Sequence, residues 1–304
     1  MTDVIYADQV ELGSVVYLVE DTPDGARRSE WCEVVEAAMG RHAFGGGLLG
    51  DELATSLELP DDGRRVEVLP ASAVPGFARP TDVEWKRGIW LVVDTETTGL
   101  DVPDIVELGA VLMQEGRVIE RRNVLLRPSK PIDPRASAVH GIYDRHVAGV
   151  PRLHDPHPAT GRSAAEGLCA MAARAHAIVG YNNSTFDQPL LERLIPDWAA
   201  ACAGLPLLDA LVVVRLDGVD KRPRSKGRHK LAAVADWLRL TEPEPGLKVQ
   251  AHRAAWDCVL AGRILWHLRE HVPDDATAAH ALCAREGARQ KAELDAYWAS
   301  RGQR

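Results

Sequence analysis

Asp94 and Glu96 close an otherwise apolar run, "IWLVVDTETTGL", and a chain laying down a buried strand has no packing reason to finish it with two acids. Residues i and i+2 of a strand share a face. The two carboxylates would therefore stand side by side and repel one another unless a cation lies between them. Taken alone, the pair reads equally well as a solvated turn in which Gly99 supplies the bend. Asp187, in "GYNNSTFDQPLLERL", opens an amphipathic helical stretch, where an Asp ordinarily serves as a cap that accepts free backbone N–H groups. Asp257 sits inside the apolar helical pattern "AHRAAWDCVLAGRILWHL", where an unpartnered carboxylate is costly to bury. His252 precedes it by five positions, about 500° of helical rotation, so the two do not stack on one face. His252 is expected in the preceding loop, reaching the same place from the side. Isolated, that pair would read as a solvated histidine and a structural acid.

The elements that would carry these residues follow from periodicity. Strands are expected at about 89–94, 104–113 and 117–126, then a helix at about 163–176, a short strand at "AIVGYN", and a helix from Asp187. Further helices are expected near 229–239, 252–271 and 276–300. Strands followed by alternating helices and strands imply an α/β sheet of mixed direction. Ahead of it, residues 1–84 read as a small β-rich module, with strands at "SVVYLVE", "EWCEVVEAAM" and "RRVEVLP" broken by turn residues. Pro70, Pro75 and Pro80 mark a linker into the second domain. The expected organisation is thus a module over 1–84, an α/β domain over 85–272 and a helical extension over 273–304.

The chain carries a net charge of −8, which taken whole argues against a phosphate-rich partner. The average conceals an asymmetry. Residues 1–84 hold seventeen Asp and Glu against six Arg and no Lys, a balance of −11, leaving +3 for the remainder. The five cysteines form no CxxC pair, so neither a disulfide framework nor a zinc site is indicated. No apolar stretch approaches the roughly 20 residues that span a bilayer, and the N-terminus lacks the pattern of a signal peptide. The expectation is a cytoplasmic protein with no membrane partner.

Three short segments in order, "VVDTETTG", "NSTFD" and "HRAAWD", resemble the three motifs of the DEDDh (DnaQ-like) subgroup of 3′–5′ exonucleases, the family of the proofreading epsilon subunit of bacterial DNA polymerase III and of ribonuclease T. "VHGIYD" resembles the His-Gly-Ile segment that the family carries between its first and second motifs, and "LLDALVVVR" the segment after the second. The resemblance extends over about residues 88–270 and implies a ribonuclease H-like core, a mixed five-stranded sheet flanked by helices. It implies that Asp94, Glu96, Asp187 and Asp257 hold two divalent cations, Mg²⁺ or Mn²⁺, and that His252 is the general base. Hard oxygen donors suit those ions, and a neutral imidazole suits that role. Thr97, Thr98, Gly99 and Leu100 would line the pocket of the terminal nucleotide, with His140 and Asn183 holding the substrate or a nearby turn.

One departure from the family pattern is the basic stretch "KRPRSKGRHK", in which Lys221, Arg222, Arg224, Lys226, Arg228 and Lys230 are expected to form a flexible substrate-contacting loop. The implied partner is nucleic acid, single-stranded DNA ahead of RNA. Residues 1–84 are the expected contact for a polymerase or another protein. An exoribonuclease of the ribonuclease T or oligoribonuclease type is the nearest alternative, and a non-catalytic subunit that binds nucleic acid or a polymerase is the alternative from another class.

Overall fold

The computed structural model describes residues 15–21, 27–38, 41–45, 56–57, 84–156, 162–243 and 252–302. By internal contact the chain divides into two units, Met1–Pro80 with His154–Ala164, and Thr81–Leu153 with Ala165–Arg304. The first contains an antiparallel meander of β1 (Val15–Asp21), β2 (Arg27–Ala38), β3 (Arg41–Gly45) and β4 (Ser56–Leu57), hydrogen-bonded in that order. A bulge interrupts β2 between Val34 and Glu36. The first two expected strands are present. The expected strand at 64–70 and the linker over 70–82 lie outside the described residues.

The second unit is built on a mixed sheet of β5 (Ile89–Thr97), β6 (Ile105–Gln114), β7 (Arg117–Leu125), β8 (Ala177–Gly180) and β9 (Leu207–Asp209), in the order β7-β6-β5-β8-β9. β5, β6 and β7 pair antiparallel, whereas β8 and β9 run parallel to β5. This is the ribonuclease H-like arrangement. β5 and β6 are buried along almost their whole length, which explains their unbroken apolar composition.

The helix α8 (Ala254–Leu268) lies against β5 and β6, buried on nearly every side, as its nearly continuous apolar sequence demands. Trp90, Val92, Val111 and Met113 of the sheet share a core with Trp256, Val259, Leu260 and Ile264 of α8. Trp85 stacks on Trp90 at 5.6 Å, and Trp90 meets Trp266 edge-on at 5.8 Å. The buried Trp85 and Trp90 indoles donate to the Pro273 and Trp85 carbonyls at 2.9 and 2.6 Å, so neither carries an unsatisfied N–H into the core.

Two glycines let helix and sheet meet closely. A Cβ on Gly109 of β6 would lie 2.3 Å from the Ala254 carbonyl carbon, and one on Gly262 of α8 would lie 2.3 Å from Met113 Sδ. Around α8 pack α6 (Ala210–Val214) and α7 (Leu231–Trp237). The last helix, α9 (Ala276–Gly302), contributes Ala279 and Cys283 to this same core, and its Gln290 amide donates to the Val212 carbonyl at 3.1 Å. Its far end leaves Leu294, Tyr297 and Trp298 exposed. Among the described residues no helix is long and apolar enough to cross a membrane.

Candidate active site

β5 presents Asp94 and Glu96 on one face at its C-terminal end, both half-buried. In the antiparallel register with β6, Asp94 stands opposite Gly109 and Glu96 opposite Glu107. Glu107 thus enters the same neighbourhood as a third acid, with no exposed surface at all.

Asp187 arrives from the other side of β5. It is the first residue of α4 (Asp187–Leu194), whose N-cap is Phe186 and has no side-chain cap. The Asp187 carboxylate serves instead as acceptor for Thr95 Oγ1 at 2.5 Å. The turn from β8 into α4 is held by Asp209, at the end of β9. The Asp209 carboxylate accepts from Asn182 N at 2.8 Å, Ser184 N at 3.2 Å, Ser184 Oγ at 2.7 Å and Leu211 N at 3.0 Å. Asn182 takes a left-handed conformation within that turn, with φ of 65°. Asn183, buried in the same turn, accepts at its backbone carbonyl from Gln188 N at 2.8 Å.

Asp257 lies in the first turn of α8 and is 8% exposed. His252 precedes the helix in a left-handed conformation, φ 60°, as its expected place in the loop requires. Its backbone N–H donates to Asp257 Oδ2 at 3.2 Å, and its exposed ring brings Nδ1 to 4.0 Å from the same oxygen. One donor atom each from Glu96, His252 and Asp257 falls within 4.8 Å of the others.

The start of α8 is capped from the sheet. A helix leaves its first N–H groups without internal partners, and its N-cap residue, Arg253, makes no side-chain cap. Glu107 Oε2 accepts from Ala254 N at 3.0 Å and Asn123 Oδ1, on β7, from Ala255 N at 3.1 Å. Arg253 Nε donates to both oxygens of Glu107 at 2.9 and 3.1 Å, Arg253 Nη2 pairs with Glu107 Oε1, and Asn123 Nδ2 donates to that oxygen at 2.8 Å. Sequence reasoning missed Glu107, Asn123, Arg253 and Asp209. The available signal was Glu107 itself, a lone acid in the apolar strand "IVELGAVLM".

The electrostatics follow from this crowding. Burial, then the charges of Asp187, Asp257, Glu96 and Glu107, raise the Asp94 carboxyl well above its usual range. Glu96 is pushed to about 9 by burial and by Asp257, Glu107 and Asp187, with Arg253 opposing. Burial raises Asp187 to about 7 against the opposing Thr95 hydrogen bond, and Asp257 to about 7 against that from His252 N. Among the described residues, the cation set among these acids is the Arg253 guanidinium, bound to Glu107. The four remaining carboxylates have the hard-oxygen chemistry that fits Mg²⁺ or Mn²⁺, and burial keeps them costly to ionise until positive charge arrives.

Around the rim, Thr97 and Thr98 are buried and tied into the turn that follows β5. Thr97 Oγ1 donates to the Gly99 carbonyl at 3.0 Å, and Thr98 Oγ1 accepts from Asp104 N at 3.0 Å. Leu100, three residues past the end of β5, is 88% exposed, an apolar side chain left in solvent. His140 ends α1 (Pro134–His140), where its Nδ1 accepts from Ile142 N at 3.0 Å. That leaves Nε2–H to donate to the Thr97 carbonyl at 3.2 Å. Burial lowers the His140 pKa, so the ring ties the rim down as a neutral group.

The basic stretch is more ordered than its composition suggests. The buried Asp220 carboxylate accepts from Arg222 Nε at 2.9 Å and Arg222 Nη2 at 3.0 Å, and faces His229 Nε2 at 3.0 Å. The Arg222 guanidinium lies 4.3 Å over the Trp237 ring. Arg228 Nη1 donates to the Arg222 carbonyl at 2.5 Å. Lys221, Arg224, Lys226 and Lys230 remain exposed.

Residues 91–265, more than half of the chain, match the protein family described as Exonuclease. Among similar proteins, the PolC-type DNA polymerase III of Thermotoga petrophila is 26% identical over 140 residues, which cover 44% of this chain and 9% of the polymerase. Exodeoxyribonuclease 10 of Escherichia coli K12 is 39% identical over 67 residues, 22% of this chain and 30% of that protein. The matches thus span less than a third of either relative. Among solved structures, exonuclease X in complex with 5′ overhanging duplex DNA aligns at a TM-score of 0.48 and 22% identity, covering 64% of this chain and 99% of that one. Escherichia coli exonuclease I in complex with a dT13 oligonucleotide aligns at 0.45 and 17% identity, covering 60% of this chain and 41% of that one.

Proposed function

The chain belongs to the exonuclease family, and from that premise we propose that it is a divalent-cation-dependent 3′–5′ exonuclease that releases nucleoside 5′-monophosphates from single-stranded or frayed DNA. The observation that carries this reading is the grouping of Glu96, Asp257 and the exposed His252 ring within 4.8 Å at the end of β5, where Asp94 feels the charges of Asp187, Asp257 and Glu96. Asp94, Glu96, Asp187 and Asp257 would hold two Mg²⁺ or Mn²⁺ ions. When bound, such a pair stabilises the charge on the attacking and leaving oxygens of a phosphodiester. The 3′ polarity rests on the order of the three motifs.

The protein's own groups divide the remaining work. His252 accepts the proton of the attacking water, and the bond from its backbone N–H to Asp257 Oδ2 sets it at the entrance to α8. Thr95 holds the Asp187 carboxylate in one rotamer. Glu107 and Asn123 fix the first turn of α8 and with it the spacing of His252 and Asp257 from β5. Leu100 offers an apolar face to the terminal base, and Thr97, Thr98 and Gly99 shape the turn beneath it.

The test is digestion of single-stranded DNA and RNA of matched sequence, labelled at the 3′ or the 5′ end, with Mg²⁺, Mn²⁺ or chelator. Stepwise loss from the 3′ end of DNA, dependent on the cation and slower on RNA, is the expected result. Intact DNA and RNA in both metals would sink the proposal, and faster turnover of RNA would move the substrate to the exoribonuclease class.

A further inference from the structure

An open cleft of about 280 Å³ lies within the second unit, lined by Arg215, Ser225, Gly227, Arg228, His229 and Lys230. Three of the six are permanent cations and none is an acid. The cleft has a built floor. Asp220 is spent internally on Arg222 and His229, with Arg228 Nε 3.8 Å from its Oδ2, which closes the segment into a fixed turn, and the stacking of Arg222 on Trp237 holds that turn against α7. Tyr181 Oη donates to the His229 carbonyl at 2.6 Å and ties the turn to the chain just beyond β8. His229 faces Asp220 through Nε2 and accepts from Arg215 Nε through Nδ1 at 3.3 Å, so the ring is neutral and aims the Arg215 guanidinium. Among the described residues Arg215 pairs with no carboxylate, and the Lys230 ammonium has no hydrogen-bond or ion-pair partner. Asp220 answers part of the Arg228 charge from beneath, and Arg215 and Lys230, which have no carboxylate partner among the described residues, are left placed for an anion.

Topology says which anion. β5, β8 and β9 run parallel, so Asp94, Tyr181 and Asp209 all follow from the same end of the sheet. Arg215 caps α6, which begins directly after Asp209, and Tyr181 carries the floor of the cleft. The cleft therefore opens at the end of the sheet that holds the carboxylates, displaced towards β9. We propose that the Arg215–Arg228–Lys230 cleft binds an internucleotide phosphate of the strand whose 3′ end occupies the carboxylate site, as an anchor some nucleotides away from the bond that is cut. The anchor rests on the proposed nuclease reading for the identity of the strand, while its chemistry is that of any polynucleotide backbone. Four exposed cations of the basic stretch are not equivalent in this arrangement. Lys230 lines the cleft and Lys221, Arg224 and Lys226 do not.

The test is equilibrium binding of the full chain to a fluorescent single-stranded oligonucleotide of roughly 12 residues and to a dinucleotide, in chelator, across a series of KCl concentrations. Lys230→Ala removes an exposed side chain with no internal partner, and Arg215→Gln removes the aimed guanidinium; circular dichroism checks that both fold. Each substitution is expected to weaken binding of the long strand about threefold or more and to flatten its logarithmic salt slope by about 0.7, the loss of one phosphate contact. Dinucleotide binding should not change, and Lys221→Ala should have a smaller effect than Lys230→Ala. Equal weakening of the long and short ligands, or an unchanged salt slope in Lys230→Ala, overturns the anchor. Because no turnover is needed, a protein that binds in this pattern yet leaves DNA intact would retain the anchor and lose the nuclease reading.

Discussion

Asp220 and Asp94 are carboxylates enclosed by the same folding unit, and their surroundings push them in opposite directions. Hydrogen bonds from Arg222, aided by its charge and that of Arg228, hold the Asp220 carboxyl down at about 2 against its partial burial. Burial and four neighbouring acids drive Asp94 well above the usual range. The first acid is a fastener, because its charge is consumed in closing a turn. The second is held at a cost that a proton or an external cation relieves. The same division runs through the site itself. Glu107 faces Glu96 across one rung of the sheet, yet Arg253, Asn123 and the start of α8 occupy its oxygens. The fold thus pairs the acid that seats the helix and leaves unpaired the acids that would hold metal.

The sharpest way to break this contrast is to remove an unpaired acid. Asp257→Ala or Asp94→Asn should lower the exonuclease rate on the order of a thousandfold or more, measured as initial rates with saturating Mn²⁺. Asp94→Asn should at the same time raise the melting temperature of the chelated protein by about 2 °C or more, because it relieves repulsion among buried charges. A melting temperature that falls would mean that Asp94 is structurally paired after all. Removing the paired acid should do the reverse. Glu107→Ala leaves Arg253, the Asn123 amide and one helix N–H without their partner and should cost about 3 to 5 kcal/mol in denaturant unfolding. Its milder relative, Glu107→Gln, should fold and lose roughly 10- to 100-fold in activity or metal affinity through misplacement of His252 and Asp257.

Smaller effects sharpen the comparison further. In the chelated protein Glu96 titrates at about 9 and Asp187 and Asp257 at about 7, all above the usual carboxylate range. Raised folded pKa values contribute stability that is fully present below about pH 4 and is lost as pH climbs through 7 and towards 9. Thermal melts in chelator should therefore decline across that window, and saturating Mg²⁺ should flatten the decline. Asp220 has the opposite sign. Its depressed pKa contributes stability that is present above about pH 4 and is lost as pH falls towards 2. Asp220→Asn should remove that acid sensitivity and cost about 1.5 to 3 kcal/mol, the worth of hydrogen bonds to a charged group.

Much of this was legible in the sequence because the long elements carry their own periodicity. β5, β6 and α8 are apolar throughout, which fixed their existence, and the acids stood out against that background. The entry of His252 from a loop followed from a separation of five residues. The short elements were not legible. α6, β9 and α1 have seven residues or fewer, and contacts made elsewhere hold them in place, as His140 does for α1 through the Thr97 carbonyl. The seat of α8 was hidden for the same reason. Arg253 and Glu107 lie 146 positions apart, and nothing local in either segment points to the other. For the basic stretch, composition spoke for flexibility, whereas Asp220 and Trp237, both outside the ten residues, pin it.

The two missing side chains at Gly109 and Gly262 have a mechanical meaning. One lies beneath the first turn of α8 and the other within its third, so the helix rests on the sheet at two points along its axis, like a shaft clamped in two bearings. A part held at two points does not pivot. Asp257, in the first turn of that helix, therefore keeps a fixed offset from Asp94, and adjustment to a ligand falls to the exposed turn around Leu100.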